Sequence, residues 1–318
     1  MRTFKDQEAA LEFINSIPWG TAAGTTKDPR MAVKYAQAGA KIIHFGSITR
    51  DPRAGNPGDN FYFDAATGNS INAWGIPNRG FQAYLPELVE LRKEINKHGA
   101  QLWVSISAGD SFDPGEYYEM TKQLFLHHAA DVVSGNKSCP NIEVDGKRKP
   151  VVCFDLETFT QGVRAMRLAA GYNPIAIKIA PITETRLLSD LVDVCIQNGI
   201  EYIEGANTVG NCYLEKQDGK PAIAMIRGGG AGKMLTPIIE GMTLMVKSMI
   251  AGTNTKFIAV GGVQEGLDAY RLLKLGADGF EFNTALSARG GNPDVITELI
   301  FGSAPIPGLV EILVERGL

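Results

Sequence analysis

Short apolar runs, rich in β-branched and aromatic residues, alternate along the chain with longer stretches in which apolar residues recur every three or four positions. The short runs predict buried strands, and the periodic stretches predict amphipathic helices. Strands are predicted at residues 19–23, 41–46, 101–107, 131–134, 175–179, 202–206, 256–260 and 279–283. Helices are predicted at residues 28–37, 85–97, 116–128, 156–170, 184–197, 237–251 and 264–275.

This alternation favours an α/β fold in a single domain spanning residues 1–318. Eight strand–helix units predict a closed parallel (β/α)8 TIM barrel, which typically needs about 250 residues. Several predicted helices stop at a glycine before the next strand, as at Gly39 and Gly199, which is typical of a helix C-terminus. A doubly wound open sheet is the alternative, but no strand–Gly-x-Gly-x-x-Gly–helix opening supports it.

Two polar, glycine-rich segments interrupt the alternation, at residues 49–78 and 210–233. We predict that both are long loops without regular structure, and loops of that length in compact domains usually bind ligands or close over them. Each follows a predicted strand and so lies at the C-terminal face of the barrel, where barrel enzymes carry their active sites.

Composition narrows the function classes. Hydrophobic residues make up 44% of the chain and charged residues 21%, and the formal net charge is −4. Without a basic tract, we expect no nucleic-acid partner. The four cysteines form no Cys-x-x-Cys pair and the four histidines complete no metal-ligand spacing, so we expect no metal. The N-terminus has no apolar leader and no run approaches membrane-spanning length, so we expect a cytoplasmic protein with no membrane association.

Cys139 lies in a segment, Asn136 to Asn141, that reads Asn-Lys-Ser-Cys-Pro-Asn. Each Asn offers an acceptor and a donor to the edge of a planar cyclic amide. Pro140 restricts its own backbone and that of Cys139. A thiol between two amides suggests proton transfer on a planar heterocycle, whereas the simpler alternative is an inert buried cysteine in a loop.

Further polar groups follow other predicted strands. Asn72, Asn136, Asn141 and Asn207 are expected on one face, where they would form a site for a pyrimidine-like ring. Lys178 ends an apolar strand and needs an anionic partner. It is either a Schiff-base lysine or a cation beside a cofactor that gains negative charge.

Two paired positions predict a phosphate site. Gly261 with Gly262, and Asn283 with Thr284, end the seventh and eighth predicted strands. Barrel enzymes frequently bind phosphate at these two strand ends. Glycine allows backbone N–H groups to approach an anion closely, although turn residues alone could also explain the pairs.

Together these segments resemble the soluble, cysteine-dependent dihydroorotate dehydrogenases over nearly the whole chain. The matching segments also include residues 22–24, 53–57, 70–78, 207–211 and 284–286 and the glycine run that ends at Gly232. The resemblance implies a barrel that binds FMN and oxidises dihydroorotate to orotate in pyrimidine biosynthesis. Cys139 would be the general base or acid while hydride moves to flavin N5.

The resemblance also assigns binding positions. The substrate positions are Asn72, Gly75, Ile76, Asn136, Asn141, Asn207 and Thr208. The cofactor positions are Ala22, Ala23, Gly24, Gly46, Ser47, Asn136, Lys178, Ala206, Gly232, Gly261, Gly262, Asn283 and Thr284.

One departure concerns the end of the second strand, where the family usually has Lys-Ser and this chain has Gly46 and Ser47. The missing lysine predicts weaker orotate binding unless Arg50 or Lys137 replaces it, and Gly46→Lys is expected to tighten that binding. We also expect a cation such as Lys137, or a loop dipole, to lower the pKa of Cys139.

Three alternatives stay open: an FMN enzyme acting on an uncharged pyrimidine or another lactam, a flavin-free Schiff-base aldolase using Lys178, and a non-catalytic paralogue. As partners we expect a pyrimidine-like small molecule and a second copy of the chain in a homodimer. An iron–sulfur partner subunit is left open, although no feature of the sequence indicates one.

Overall fold

The computed structural model describes residues 2–144 and 147–318. Its strands are β1 (Trp19–Thr26), β2 (Ile42–Ile48), β3 (Phe61–Asp64), β4 (Asn69–Asn72), β5 (Gln101–Ile106), β6 (Val132–Asn136), β7 (Glu143–Val144), β8 (Lys147–Arg148), β9 (Ile175–Ile179), β10 (Tyr202–Gly205), β11 (Val209–Cys212), β12 (Gly228–Gly232), β13 (Lys256–Val260), β14 (Gly279–Phe282), β15 (Gly302–Ser303) and β16 (Ile306–Pro307). Strands β7 with β8, and β15 with β16, form separate two-stranded ribbons.

The helices are α1 (Gln7–Ser16), α2 (Pro29–Gln37), α3 (Phe81–Lys97), α4 (Pro114–Leu126), α5 (Leu156–Ala170), α6 (Thr185–Gln197), α7 (Thr236–Met249), α8 (Gly266–Lys274), α9 (Thr284–Ala288), α10 (Asp294–Phe301) and α11 (Leu309–Arg316). Short 3₁₀ turns lie at Val152–Phe154 and Lys233–Leu235. None of the helices in the described ranges has the length and apolar character needed to cross a membrane.

Eight parallel strands close into a barrel in the order β1-β14-β13-β10-β9-β6-β5-β2. The closure pairs β1 with β14, with Trp19 opposite Phe280 and Thr21 opposite Phe282. All eight predicted strands are present, so the predicted TIM barrel is confirmed and the open-sheet alternative is wrong.

The seven predicted helices form the outer layer and bury the apolar positions that predicted them. Helix α5, for example, buries Phe159, Val163 and Met166, which recur at helical spacing on one face. The Asp155 side chain caps it by accepting from the backbone N–H of Glu157 and Thr158. Helices α1, α9, α10 and α11 were not predicted, because they are short or lie outside the strand–helix alternation.

The two segments predicted as irregular loops instead build one antiparallel sheet in the order β11-β12-β4-β3. Strand β12 pairs with β4, with Gly229 opposite Asn72. The glycines of β12 permit this contact, because a Cβ at Gly228 would lie 2.3 Å from the Asn72 carbonyl oxygen. The prediction of irregular structure was therefore wrong, and the sheet holds both segments over the strand ends.

Candidate active site

A pocket of about 410 Å³ opens at the C-terminal ends of the barrel strands. Its wall combines the ends of β1, β2, β6, β9, β10, β13 and β14 with side chains from the added sheet. The volume is in the range of sites that bind small ligands and cofactors. Parallel strands converge at this end, so residues far apart in sequence meet here.

The pocket collects nearly all of the predicted site residues. Those lining it are Ala22, Ala23, Gly24, Ser47, Asn72, Gly75, Ile76, Asn136, Cys139, Asn141, Lys178, Ala206, Asn207, Thr208, Gly261, Gly262, Asn283 and Thr284. Their individual binding roles stay predictions, but the predicted clustering of the amides, the thiol and the glycine pairs is present in the structure.

Gly46 and Gly232 do not line the pocket. A Cβ at Gly46 would lie 2.5 Å from the Ser105 carbonyl oxygen, and one at Gly232 would lie 2.3 Å from the Gly68 carbonyl oxygen. Both glycines also have positive φ, 109° and 82°. The close backbone contacts and the positive φ explain why both positions are glycine. This backbone leaves no room at position 46 for the lysine that the family usually has there.

Amide side chains form a hydrogen-bonded wall around the thiol loop. Asn136 donates from Nδ2 to Ser47 Oγ at 2.8 Å, and Asn207 Nδ2 donates to Ser138 Oγ at 3.1 Å. Asn141 Nδ2 donates to the Asn72 carbonyl oxygen at 3.0 Å. With the further bond from Asn141 Nδ2 to Asn72 Oδ1 at 3.2 Å, all four amide side chains are hydrogen-bonded.

Two polar atoms at the same wall are buried without a partner in the described part of the chain, Asn141 Oδ1 and Thr208 Oγ1. Both residues line the pocket. Buried polar groups are nearly always hydrogen-bonded, so unsatisfied ones in a cavity indicate a ligand with complementary polar atoms. An acceptor and a hydroxyl suit the donors and acceptors along the edge of a cyclic amide.

The Cys139 thiol is unpaired and partly buried. Burial raises its pKa, although the backbone N–H groups of Asn141 and Ile142 and the positive charges of Arg53 and Lys27 act in the opposite direction. The expectation of a lowered pKa was therefore wrong, because desolvation outweighs these stabilising groups.

Neither Lys137 nor Arg50 replaces the missing cation. Lys137 is buried, its Nζ lies 2.8 Å from the centre of the Tyr117 ring, and burial depresses its pKa well below the usual range. Arg50 contacts Asp51 at 2.8 Å and lines a separate cavity. The cation that the sequence reasoning missed is Lys27, which lines the pocket three residues after Gly24.

Below the pocket, Lys178 belongs to a charge cluster inside the barrel. Its Nζ lies 3.9 Å from Glu204 Oε2 and 3.9 Å from Glu281 Oε2. His44 Nδ1 lies 3.0 Å from Glu281 Oε1. The side chains of His44, Glu204 and Glu281 are fully buried. Lys178 therefore has the anionic partners that a lysine at this depth requires.

The cluster was missed because its members lie on separate strands. The ligand atoms of His44, Glu204 and Glu281 lie within 4.8 Å of one another, close enough to hold a metal ion. The Lys178 ammonium already lies against both carboxylates and serves as their cation. We therefore assign the cluster to the positioning of Lys178.

The sequence model of the dihydroorotate dehydrogenase family matches residues 5–300. The chain belongs to this family. It is 28% identical over 295 residues to dihydroorotate dehydrogenase A (fumarate) of Lactococcus lactis subsp. lactis, with 91% of this chain and 88% of that protein covered. It is 25% identical over 291 residues to the catalytic subunit of dihydroorotate dehydrogenase B (NAD(+)) of Methanocaldococcus jannaschii, with 90% and 88% covered.

In fold, the chain is similar to the ligand-free dihydroorotate dehydrogenase of Eimeria tenella. The TM-score is 0.77 at 22% identity, with 94% of this chain and 85% of that chain covered. The predicted family and the predicted oxidoreductase class are confirmed by the family match, and the predicted barrel by this likeness.

Glu281→Gln should change how stability depends on pH. Burial raises the pKa of Glu281 from 4.5 to about 7, so between these values the folded protein holds a proton that the unfolded chain has released. The contribution of Glu281 to stability therefore falls as pH rises through this window. As the pH rises over that range, the free energy of unfolding of the variant should therefore increase relative to that of the parent by on the order of 2–3 kcal/mol.

Urea unfolding of both proteins across the window checks this, with the exposed carboxylate variant Glu12→Gln as control. His44 has the opposite effect on stability. Burial lowers its pKa from 6.5 to about 4, so its contribution to the stability of the folded state rises with pH. Because His44 Nδ1 lies 3.0 Å from Glu281 Oε1, the difference between parent and variant reports Glu281 together with its effect on His44. If the free energy of unfolding changed with pH in the same way in the parent and in Glu281→Gln, the raised pKa of Glu281 would be refuted.

Proposed function

We propose that the protein is an FMN-dependent dehydrogenase that oxidises dihydroorotate to orotate in pyrimidine biosynthesis. The observation that carries the proposal is the placement of Cys139 in one pocket with Asn72, Asn136, Asn141 and Asn207. A thiol surrounded by oriented amides suits proton removal from a ring that the amides hold at its polar edge. The family membership supports the same chemistry.

The pocket residues fit FMN. Gly24 has φ of 97°, and a Cβ there would meet only Asn283 Nδ2, at 4.0 Å, so the wall beside this backbone is open to a flat ring. Gly261 and Gly262 have φ of 111° and 78° and could present backbone N–H groups to a phosphate. When bound, FMN would supply the acceptor for the hydride.

The chain's own residues supply the rest of the chemistry. The Cys139 thiolate removes a proton from the ring carbon next to the one that loses the hydride. Because burial raises its pKa, the thiol gains in effectiveness as the pH rises. Lys178 places a positive charge at the pocket floor, where it can stabilise the negative charge that the ring system of FMN gains on reduction. The amides orient the substrate.

The Schiff-base aldolase alternative is less well supported. A Schiff-base lysine must act as a free amine, whereas Lys178 Nζ lies 3.9 Å from the carboxylates of both Glu204 and Glu281. That alternative would also leave the amide wall around Cys139 without a role.

The first test concerns the cofactor. We expect the protein to purify with noncovalent FMN in about one equivalent per chain, because the two strand-end pairs offer a single phosphate site. Extraction and chromatography of the released flavin measure this directly. FAD in place of FMN, or no flavin after reconstitution with FMN, would contradict the cofactor assignment.

The second test concerns the base. Cys139→Ala should retain FMN but slow flavin reduction by dihydroorotate by roughly two to four orders of magnitude, the usual effect of removing a positioned general base. Cys139→Ser should keep a fraction of the activity that grows at higher pH, because a hydroxyl is a weaker acid than a thiol. Anaerobic stopped-flow absorbance measures the rates.

Cys212→Ala is the matched control, since Cys212 is also unpaired and partly buried but does not line the pocket. It should reduce flavin at the parent rate. A Cys139→Ala variant as fast as this control would place the base elsewhere.

A further inference from the structure

Among the described residues, the pocket wall contains only two side chains that carry a full charge, Lys27 and Lys178. Lys178 lies 3.9 Å from each of two buried carboxylates. Lys178 is therefore shared between these carboxylates and the ring system of FMN, on whose reduction it is proposed to act. Lys27 is the remaining cation of the pocket and is available to a substrate.

Lys27 lies in the short connection between the end of β1 and the start of α2. Thr26 Oγ1 donates to the Asp28 carbonyl oxygen at 3.2 Å and accepts from the Asp28 N–H at 3.0 Å, so the backbone on both sides of Lys27 is fixed. The Asp28 carboxylate caps α2 and pairs with Arg30 at 3.1 Å. The carboxylate nearest in sequence is thus already engaged by other groups.

Lys27 itself forms no ion pair and no side-chain hydrogen bond with any described residue, although it is partly buried. Lys27 and Cys139 line the same pocket. Burial lowers the pKa of Lys27 to about 8, and the charge of the Cys139 thiolate acts in the opposite direction. A cation that is shielded from water and has no partner is costly, and an anionic ligand would offset that cost.

No other nearby cation competes for this role. Arg53 pairs with Asp110 and donates from Nε to the Gly75 carbonyl oxygen at 3.3 Å, and it does not line the pocket. Arg50 and Lys137 face other parts of the molecule. Gly46 cannot be given a side chain without meeting the Ser105 carbonyl oxygen at 2.5 Å.

We propose that Lys27 is the specificity-determining residue of this pocket and binds the carboxylate of a planar ring substrate held beside Cys139. The inference rests on the proposed function for the ring and adds the residue that selects an anionic ring over an uncharged one. The cation is supplied by the end of β1, so the enzyme needs no lysine at the end of β2.

Lys27→Met tests the inference through ligand binding. We expect the variant to bind orotate about 10- to 100-fold more weakly, the usual loss for one charge-assisted hydrogen bond, and to bind uncharged uracil almost unchanged. With dihydroorotate, KM should rise more than kcat falls. Lys27→Arg should keep most of the preference for orotate. Calorimetry with the FMN-loaded protein gives both dissociation constants.

Lys41→Met is the matched control. Lys41 is also partly buried and its pKa is lowered by burial, but it lies at the opposite end of the barrel, where its N–H donates to the Trp19 carbonyl oxygen. This control should bind orotate and uracil as the parent does.

Two outcomes would overturn the inference. An unchanged ratio of orotate to uracil affinity in Lys27→Met would show that Lys27 does not select the carboxylate. An equal loss for both ligands would assign Lys27 to the thiol or to pocket structure. Reduction of flavin by dihydroorotate in the parent is measured separately, so either outcome can be separated from a failure of the proposed function.

Discussion

The site depends on one buried charge cluster, in which the Lys178 Nζ lies 3.9 Å from both the Glu204 and the Glu281 carboxylate inside the barrel. The barrel interior beneath it is apolar and includes Ile42 and Ala176, each two residues before a member of the cluster on its own strand. Alternate residues of a strand face the same side, so an apolar layer is followed by a charged one and then by the pocket. Removing the Lys178 charge would leave both carboxylates buried without a cation, at a cost of several kcal/mol.

We propose that the two cations of the pocket have two different tasks. Lys178, at the floor beside the carboxylates, would act on the electronic state of a bound ring system. Lys27, just after β1, has no such partner among the described residues and would bind the substrate. The added sheet completes the site by bringing Asn72 of β4 against Asn141, which holds the amide wall above the thiol loop.

Much of the fold and part of the site could be predicted from the sequence, because each barrel strand is a short, continuous apolar run and parallel strands end at one face. Asn136, Asn141, Asn207 and Cys139 could be placed together on that argument alone, whereas Asn72 was expected there only as part of the long segment after the second strand. The sheet of β3, β4, β11 and β12 could not, since a run of glycines has low strand propensity and forms β12 only by pairing with β11 on one side and β4 on the other.

The direction in which side chains point was the second feature that could not be predicted from the sequence. Lys137 is adjacent to Asn136, but consecutive residues of an extended segment point to opposite sides, and Lys137 points to the Tyr117 ring instead of the pocket. His44, Glu204 and Glu281 come from three strands far apart in sequence, so no local spacing reveals their cluster.

The central claim is that the pocket transfers a hydride and a proton from dihydroorotate. Anaerobic mixing of the FMN-loaded protein with dihydroorotate tests it most directly, with flavin absorbance and orotate followed together. The account predicts loss of the oxidised flavin bands and formation of an equal amount of orotate. Flavin that stays oxidised with dihydroorotate but is reduced by an uncharged dihydropyrimidine would contradict it.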